Sequence, residues 1–244
     1  AGGGETIFGE AMRRSADLRR DAIIATKCGI RWAGDPLPDS PHRYDFSKDW
    51  ILSSCEASLE RLGVETIDLY QLHRPDVLMD PDEVAFVRLR DAGKVRHFGV
   101  SNFSASQMAA LRSRLPMRLE VNQIEIHLGR LDPFMDGTLD HCLEYHVTPL
   151  SWSPLGGGWL GETPDSRPDR AELSRELSAQ ADAAGLDPAD IALAWLMRHP
   201  SGIVPIVGSV RPERIRSMAR AADHAMTRDA WYRLLLAARG KPLP

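Results

Sequence analysis

Short apolar segments of β-type composition alternate with helical segments along nearly the whole chain. The alternation predicts six strands, at residues 22–27, 66–73, 95–101, 119–126, 148–153 and 203–209. It predicts helices at residues 49–62, 81–92, 105–114, 137–145, 171–184, 188–198, 212–222 and 227–238. Strands separated by single helices are typical of a parallel sheet covered by helices. The expected fold class is therefore α/β.

No composition shift marks a second domain, so we expect one domain over residues 1–244. A (β/α)8 TIM barrel is the best match, although the pattern lacks two of the strands that such a barrel needs. The chain does not begin with Met, and Gly2, Gly3 and Gly4 are typical of the middle of a loop. We therefore expect the first two barrel strands upstream of Ala1. An open six-stranded sheet is the alternative.

The composition argues against several classes of function. The net charge is −4 and the Lys and Arg residues are scattered, so we expect no nucleic-acid partner. No apolar segment approaches the length of about 18 residues that a membrane span requires. The three cysteines, Cys28, Cys55 and Cys142, lack metal-ligand spacing and are typical of a reduced protein. We expect no metal, a cytoplasmic location, and a monomer or weak homo-oligomer.

Every predicted strand ends in groups that form hydrogen bonds. These groups are Lys27, His73, Ser101 with Asn102, Asn122 with Gln123, Trp152 with Ser153, and Gly208 with Ser209. In parallel α/β folds the working residues gather at the carboxyl ends of the strands. One such residue is readily explained as a cap or a turn former, but six sets in succession indicate a site.

The strand period of two decides which of these side chains share a face. In "DLYQLHRPD", Gln71 and His73 share one face, whereas Tyr70 takes the other. Tyr70 is therefore predicted to pack beneath the helices rather than to partner His73. In "LEVNQIEIH", Gln123 and Glu125 share a face in the same way.

Two stretches suit phosphate groups. The glycines of "SPLGGGWLG", Gly156 to Gly158, permit positive φ and close approach by a ligand. Ser209 and Arg214 flank a predicted helix start, which is a common anion site. The residues alone leave other interpretations open: a flexible loop, a solvated arginine, or a barrel enzyme that acts on a phosphorylated substrate.

Six motifs together resemble the aldo-keto reductase family, in its bacterial NADP-dependent branch. They are "ATKCG", "DLYQLHRPD", "GKVRHFGVSNF", "VNQIEIH", "WSPLGGG" and "VPIVGSVRPERI", and they spread from Thr26 to Ile215. The resemblance implies an oxidoreductase acting on CH–OH donors that reduces a small-molecule carbonyl compound with NADPH. It implies a (β/α)8 barrel that binds this cofactor without a Rossmann fold.

The resemblance also assigns roles to residues. The family's catalytic set is Asp, Tyr, Lys and His, and Lys27 and His73 match its last two members. The matching cofactor positions are Ser101, Asn102, Gln123, Trp152, Ser153, Leu155, Gly156, Gly208, Ser209 and Arg214. Among them, Ser209 and Arg214 match contacts to the adenosine 2′-phosphate, which favours NADP(H) over NAD. Trp32, His127 and Trp159 are candidate walls of a pocket for apolar or aromatic aldehydes and ketones.

The sequence departs from the family pattern in four places. The family Asp and Tyr are expected upstream of Ala1, because no tyrosine of the chain lies at the matching position. Gly208 and Met218 stand where a Lys and an Asn often contact the cofactor, and "DEVAFVRLRDAGK" is shorter than the pattern. The alternative to an active reductase is therefore a non-catalytic NADP-binding protein with a regulatory or redox-sensing role.

Overall fold

The computed structural model describes residues 2–161 and 168–243. The chain divides into two compact units, Ala1–Asn122 and Gln123–Pro244. Both units combine parallel strands with helices, so the α/β class expected from the sequence is confirmed.

The first unit begins with helices α1 (Gly3–Arg14) and α2 (Ala16–Asp21). There follow β1 (Ala25–Cys28), β2 (Ile30–Arg31), β3 (Arg43–Tyr44), α3 (Lys48–Leu62), β4 (Ile67–Leu72), α4 (Phe86–Asp91), β5 (Val95–Ser101), α5 (Ala105–Arg112) and the start of β6 (Val121–Glu125). Strands β1, β4 and β5 are parallel neighbours in that order. Strands β2 and β3 form an antiparallel pair directly after β1.

The parallel register brings the carboxyl ends of β1 and β4 to one edge. Lys27 pairs with Gln71, and Gln71 in turn pairs with Gly99 of β5. A Cβ on Gly99 would lie 2.4 Å from a methyl carbon of Val121, so this close approach requires glycine. A residue with a Cβ at position 99 would therefore collide with Val121 of β6.

Local signals set the ends of the helices in this unit. Ser104 caps α5 in a capping box with Gln107. Gly63 ends α3 in the left-handed conformation (φ 67°), which costs glycine least. Glu5 of α1 accepts hydrogen bonds from Thr26 of β1 (2.5 Å) and from Arg61 of α3 (2.6 Å), and so ties three elements together.

The second unit starts within β6. It continues with α6 (Thr138–Glu144), β7 (Thr148–Trp152), α7 (Ala171–Ala184), α8 (Pro188–Met197), β8 (Val204–Pro205), α9 (Pro212–Arg220) and α10 (Arg228–Arg239). Strands β7 and β8 run parallel, and Ile206 extends their contact by donating its N–H to the Ser151 carbonyl. Short 3₁₀ turns occupy Asp132–Phe134 and Gly156–Gly161.

The core of the second unit is centred on α8. Trp195 of α8 is fully buried and stacks on Trp231 of α10, with ring centroids 5.0 Å apart. Each indole N–H donates to the backbone carbonyl of the other tryptophan. Because both polar atoms are satisfied, the two largest side chains pack without leaving an unpaired donor.

Each of the six predicted strands is present in part, and the fold class of a (β/α)8 barrel is supported by a structural neighbour described below. The prediction of a loop at Gly2 to Gly4 is wrong, because α1 begins at Gly3 with Gly2 as its N-cap. The helix predicted at residues 81–92 is shorter and begins at Phe86. The last strand has two residues rather than seven. The single domain and the two upstream strands stay predictions.

Among the residues that the structure describes, no helix combines the length and the apolar composition needed to cross a bilayer.

Candidate functional site

Lys27 lies one residue before the end of β1, and the backbone that follows it is tightly held. The chain turns at Gly29 (φ 98°), where a Cβ would lie 2.4 Å from the ring of Phe46. The Gly29 carbonyl accepts a hydrogen bond from the Asp45 N–H at 2.9 Å. This explains the glycine after the lysine strand: only glycine tolerates both the φ angle and the ring.

His73 directly follows β4, and its backbone joins the lysine strand. The His73 N–H donates to the Cys28 carbonyl at 2.9 Å. Burial, together with the positive charges of Lys27 and Arg74, lowers the pKa of His73 to about 4. Burial also lowers the pKa of Lys27 below its ordinary value. At neutral pH the imidazole is therefore uncharged and lies within the field of the lysine.

Lys27 and His73 line one cavity of the first unit, with a volume of about 700 Å³. Trp32 and Trp50 supply aromatic surface to the same cavity, and Glu5 and Asp35 supply carboxylates. The cavity thus combines a half-buried cation, a neutral imidazole and aromatic walls. Trp32 lines the same cavity as Lys27, and its contact with a substrate stays a prediction.

None of the chain's four tyrosines lines this cavity, as far as the described residues extend. Tyr70 is fully buried on the opposite face of β4, as the strand period predicts. Burial raises the pKa of its phenol far above the ordinary range. Tyr44 lies on β3, where its ring meets His42 edge-on. No tyrosine of the described chain is therefore placed to donate a proton beside Lys27.

The end of β5 forms a constrained turn. Asn102 adopts a positive φ of 61°, which is uncommon for a residue with a side chain. Its amide donates to the Ser101 hydroxyl at 2.8 Å. The fully buried Asn122 side chain accepts from the Phe103 N–H (3.4 Å) and donates to the Phe103 carbonyl (2.8 Å). The sequence indicates Asn122 as one of the strand-end groups of the site, whereas in the structure its side chain clamps the turn that presents Asn102.

In the second unit, β6 presents alternate side chains as the sequence predicts. Gln123 and Glu125 are half-buried, whereas Ile124 and Ile126 are buried in the core. His127 follows in a tight turn and is 6% exposed. Its Nδ1 accepts the Gly129 N–H at 3.0 Å, and its Nε2 lies 3.7 Å from a Glu125 carboxylate oxygen. Burial lowers the pKa of His127, although Glu125 opposes that shift.

Trp159 packs directly on glycine backbone. A Cβ on Gly129 would lie 2.6 Å from the indole, and one on Gly156 would lie 2.3 Å from its Nε1. The same added Cβ on Gly129 would lie 3.1 Å from the His127 ring. His127 and Trp159, both predicted pocket residues, are thus neighbours across Gly129.

The loop after β7 carries four positive φ angles. Ser153 has φ 50°, and Gly156, Gly157 and Gly158 have φ 58°, 77° and 110°. The Gly156 N–H donates to the Ser153 carbonyl at 2.7 Å, which closes the turn around Leu155. An added Cβ at Gly157 or Gly158 would meet no atom within 4 Å. Trp152, the last residue of β7, is half-buried at the entrance to this loop.

Helix α9 begins close to the predicted anion site. The Ser209 hydroxyl accepts the N–H of Arg211, the N-cap residue of α9. Arg214 is exposed and forms no ion pair with any residue of the described ranges. Gly208, just before Ser209, is also exposed, and Met218 packs against the core of the unit. Among residues 2–161 and 168–243, no cluster of His, Cys, Asp or Glu has the arrangement of a metal site.

The model of the Aldo/keto reductase family matches residues 1–235. The chain belongs to the aldo-keto reductase family. It is therefore an oxidoreductase of a family that generally uses nicotinamide cofactors and acts on small molecules. The match covers the Lys27–His73 cavity, the glycine loop and α9 alike.

Individual relatives agree with this assignment. The aldo-keto reductase is 45% identical over 246 residues to "6-dehydroglucose reductase" of Novosphingobium aromaticivorans, which covers all of this chain and 77% of the relative. It is 41% identical over 244 residues to "Uncharacterized oxidoreductase YcsN" of Bacillus subtilis, with 98% and 81% covered. The crystal structure of the thermostable aldo-keto reductase Tm1743 superposes with a TM-score of 0.80 at 26% identity, over 96% of this chain and 77% of that one.

Proposed function

We propose that this protein reduces aldehydes or ketones to alcohols with NADPH, using Lys27 and His73. The observation that carries the proposal is the pairing of a half-buried ammonium with a neutral imidazole on one cavity. Carbonyl reduction needs these two properties: a positive charge where negative charge develops, and a neutral donor that orients the carbonyl oxygen.

The residues of the chain fit NADPH. Exposed backbone at Gly157 and Gly158 leaves room for a pyrophosphate to approach closely. The exposed Arg214 guanidinium, near the start of α9, suits a 2′-phosphate. Ser101, Asn102 and Gln123 supply amide and hydroxyl groups for the nicotinamide carboxamide, and Trp152 covers the ring. When bound, NADPH supplies the hydride for the carbonyl carbon, and the carbonyl oxygen takes up a proton.

Lys27 and His73 have separate tasks in this proposal. The ammonium of Lys27 lowers the pKa of an adjacent phenol, because it stabilises the phenolate. A neutral His73 donates one N–H to the substrate oxygen without carrying a second positive charge into the cavity. The phenol is expected from a tyrosine upstream of Ala1, and this stays a prediction. Tyr70 is excluded from the task by its burial on the other face of β4.

The relative from Novosphingobium has a name that refers to 6-dehydroglucose, a carbonyl compound that carries hydroxyl groups. By analogy we extend the proposed substrates from apolar aldehydes to carbonyl compounds that carry hydroxyl groups. The polar lining of the Lys27 cavity, which includes Thr26, Asp35 and Ser54, is compatible with such compounds.

The loss of NADPH absorbance with 4-nitrobenzaldehyde tests the proposal. The assay compares the protein encoded by the full gene with the chain that begins at Ala1. Turnover by the full protein is expected. If NADPH binds with no turnover of any aldehyde by either form, the reductase proposal fails and the non-catalytic NADP-binding role takes its place. Strong turnover by the Ala1 form would refute the upstream tyrosine as proton donor.

A further inference from the structure

A second cavity, which the proposed chemistry at Lys27 does not use, lies between the end of α8 and the first turn of α10. Its volume is about 240 Å³, and its walls are Arg198, His199, Pro200, Arg228, Trp231 and Tyr232. All six residues belong to the second unit, so that unit alone forms the cavity. A cavity of this size suits a ligand with a single ring rather than a dinucleotide.

Two guanidinium groups line this cavity without an acidic partner. Arg198, the C-cap residue of α8, donates from its Nε to the Met226 carbonyl at 3.1 Å, so its two terminal nitrogens stay available to a ligand. Arg228 begins α10, and its guanidinium carbon lies 5.4 Å from the centre of the Tyr232 ring. Within the part of the chain that the structure describes, neither arginine forms an ion pair and no Asp or Glu lines the cavity. The cavity therefore carries two positive charges that its own walls do not neutralise.

His199 contributes a neutral imidazole to the same walls. The Ser201 N–H donates to Nδ1 of His199 at 3.3 Å, so the neutral ring carries its proton on Nε2. Burial lowers the pKa of His199, although the charge of Asp140 opposes that shift, and the ring is therefore uncharged at neutral pH. The walls thus offer N–H donors and positive charge but no carboxylate, which complements an anionic acceptor.

Aromatic rings form the apolar part of the walls. Trp231 stacks on Trp195 with ring centroids 5.0 Å apart, and its indole N–H donates to the Trp195 carbonyl at 3.0 Å. The Tyr232 ring meets Trp231 edge-on, with centroids 5.1 Å apart. Because packing holds these rings in place, they present a fixed surface against which a flat ring can pack.

The combination of charge and rings selects one class of ligand. A carboxylate accepts two parallel hydrogen bonds from a guanidinium, and an aromatic ring attached to it supplies apolar surface for the walls. An ammonium compound would be repelled by both arginines. A neutral aromatic compound would leave the two charges without a partner, and inorganic phosphate would make no use of the rings.

We propose that the cavity between Arg198 and Arg228 binds a small aromatic carboxylate at a site separate from the reductase chemistry. The carboxylate contacts the two guanidinium groups, and the ring of the ligand packs against Trp231 and Tyr232. This site is independent of the proposed reductase function, because none of its wall residues lines the Lys27 cavity.

Fluorine NMR titration with 4-fluorobenzoate tests the proposal without any turnover. The neutral 4-fluorobenzamide has nearly the same shape and should bind at least about 10-fold more weakly, because it forms no charge-assisted hydrogen bonds. Arg228→Gln should weaken the binding of 4-fluorobenzoate about 10- to 100-fold. Arg228 is exposed, so the variant should keep the fold, and thermal unfolding checks this. Inorganic phosphate should displace the ligand far less well than benzoate does, and equal displacement by the two would contradict an aromatic site.

Arg233→Gln is the matched control. Arg233 is also an exposed arginine of α10, but it pairs with Glu176 outside the cavity. Because both variants remove one charge, equal weakening in Arg228→Gln and Arg233→Gln would show a general electrostatic effect and overturn the inference. Unchanged binding in Arg228→Gln would overturn it as well. Lys27→Met should leave the binding of 4-fluorobenzoate unchanged, and a loss in that variant alone would place the carboxylate in the Lys27 cavity instead.

Discussion

The two units position their candidate functional groups by different means. In the first unit, Lys27 and His73 project from neighbouring parallel strands into a cavity, and burial shifts both pKa values. In the second unit, the corresponding features are a glycine loop with positive φ angles and an exposed arginine on α9. The first arrangement depends on the partly buried ammonium of Lys27. The second depends on the backbone conformation of the glycine loop and on the solvent-exposed guanidinium of Arg214.

This difference predicts which changes affect chemistry and which affect binding. A buried ammonium interacts strongly with neighbouring charges because little solvent screens it. An exposed guanidinium gains most of its effect from direct contact with a phosphate. Substitutions of Lys27 or His73 should therefore change kcat, whereas substitutions of Arg214 should change cofactor affinity.

Lys27→Met is expected to have the largest effect. It should lower kcat about 100- to 10,000-fold, the range typical of a lost acid–base group. NADPH affinity, measured by fluorescence titration, should change little. Lys94→Met is the control, because Lys94 is a partly exposed lysine of the same unit that lies outside the cavity and pairs with Glu56. Equal kcat values for Lys27→Met and its parent would remove Lys27 from the mechanism.

The pH profile gives a second readout at Lys27. Its pKa is lowered by burial, so the positive charge is lost as pH rises through a value below that of a free lysine. Activity should fall on that alkaline side, and Lys27→Arg should move the fall to higher pH. His73 has a pKa of about 4, so no histidine limb is expected above about pH 5.

Arg214→Ala is expected to have an intermediate effect, confined to binding. It should weaken NADPH about 10- to 100-fold and NADH far less, because only NADPH carries the 2′-phosphate. Arg216→Ala, on the same exposed helix, is the control. Equal losses for both cofactors in Arg214→Ala would show that Arg214 does not contact that phosphate.

Gly156→Ala is expected to have the smallest effect, on stability. Both Gly156 and Gly157 have positive φ, but only at Gly156 would a Cβ meet the Trp159 indole. Gly156→Ala should therefore destabilise the protein by about 1 kcal/mol more than Gly157→Ala, measured by urea unfolding. If the two variants unfold at the same urea concentration, the packing of Trp159 on this glycine is not a stabilising contact.

Much of the fold could be predicted because its signals are local. The alternation of strand and helix patterns, and the placement of Tyr70 on the face of β4 opposite to His73, are read from short windows of sequence. The helix at Gly3 was missed because three consecutive glycines disfavour helix, and contacts of α1 with β1 and α3 override that preference. The length of β8 was overestimated, because the apolar segment of the sequence extends beyond the two residues that form the strand.

The candidate site likewise has some features that the sequence alone determines and others that depend on the tertiary structure. The sequence determined which residues end the strands, since the period of a strand and the motif "GVSNF" are properties of the chain itself. Only the tertiary structure decided that Lys27 and His73 share a cavity and that Asn122 clamps the Asn102 turn. It also decided that Nε2 of His127 lies 3.7 Å from a carboxylate oxygen of Glu125. These facts depend on the register between strands and on the removal of side chains from water, which no local pattern encodes.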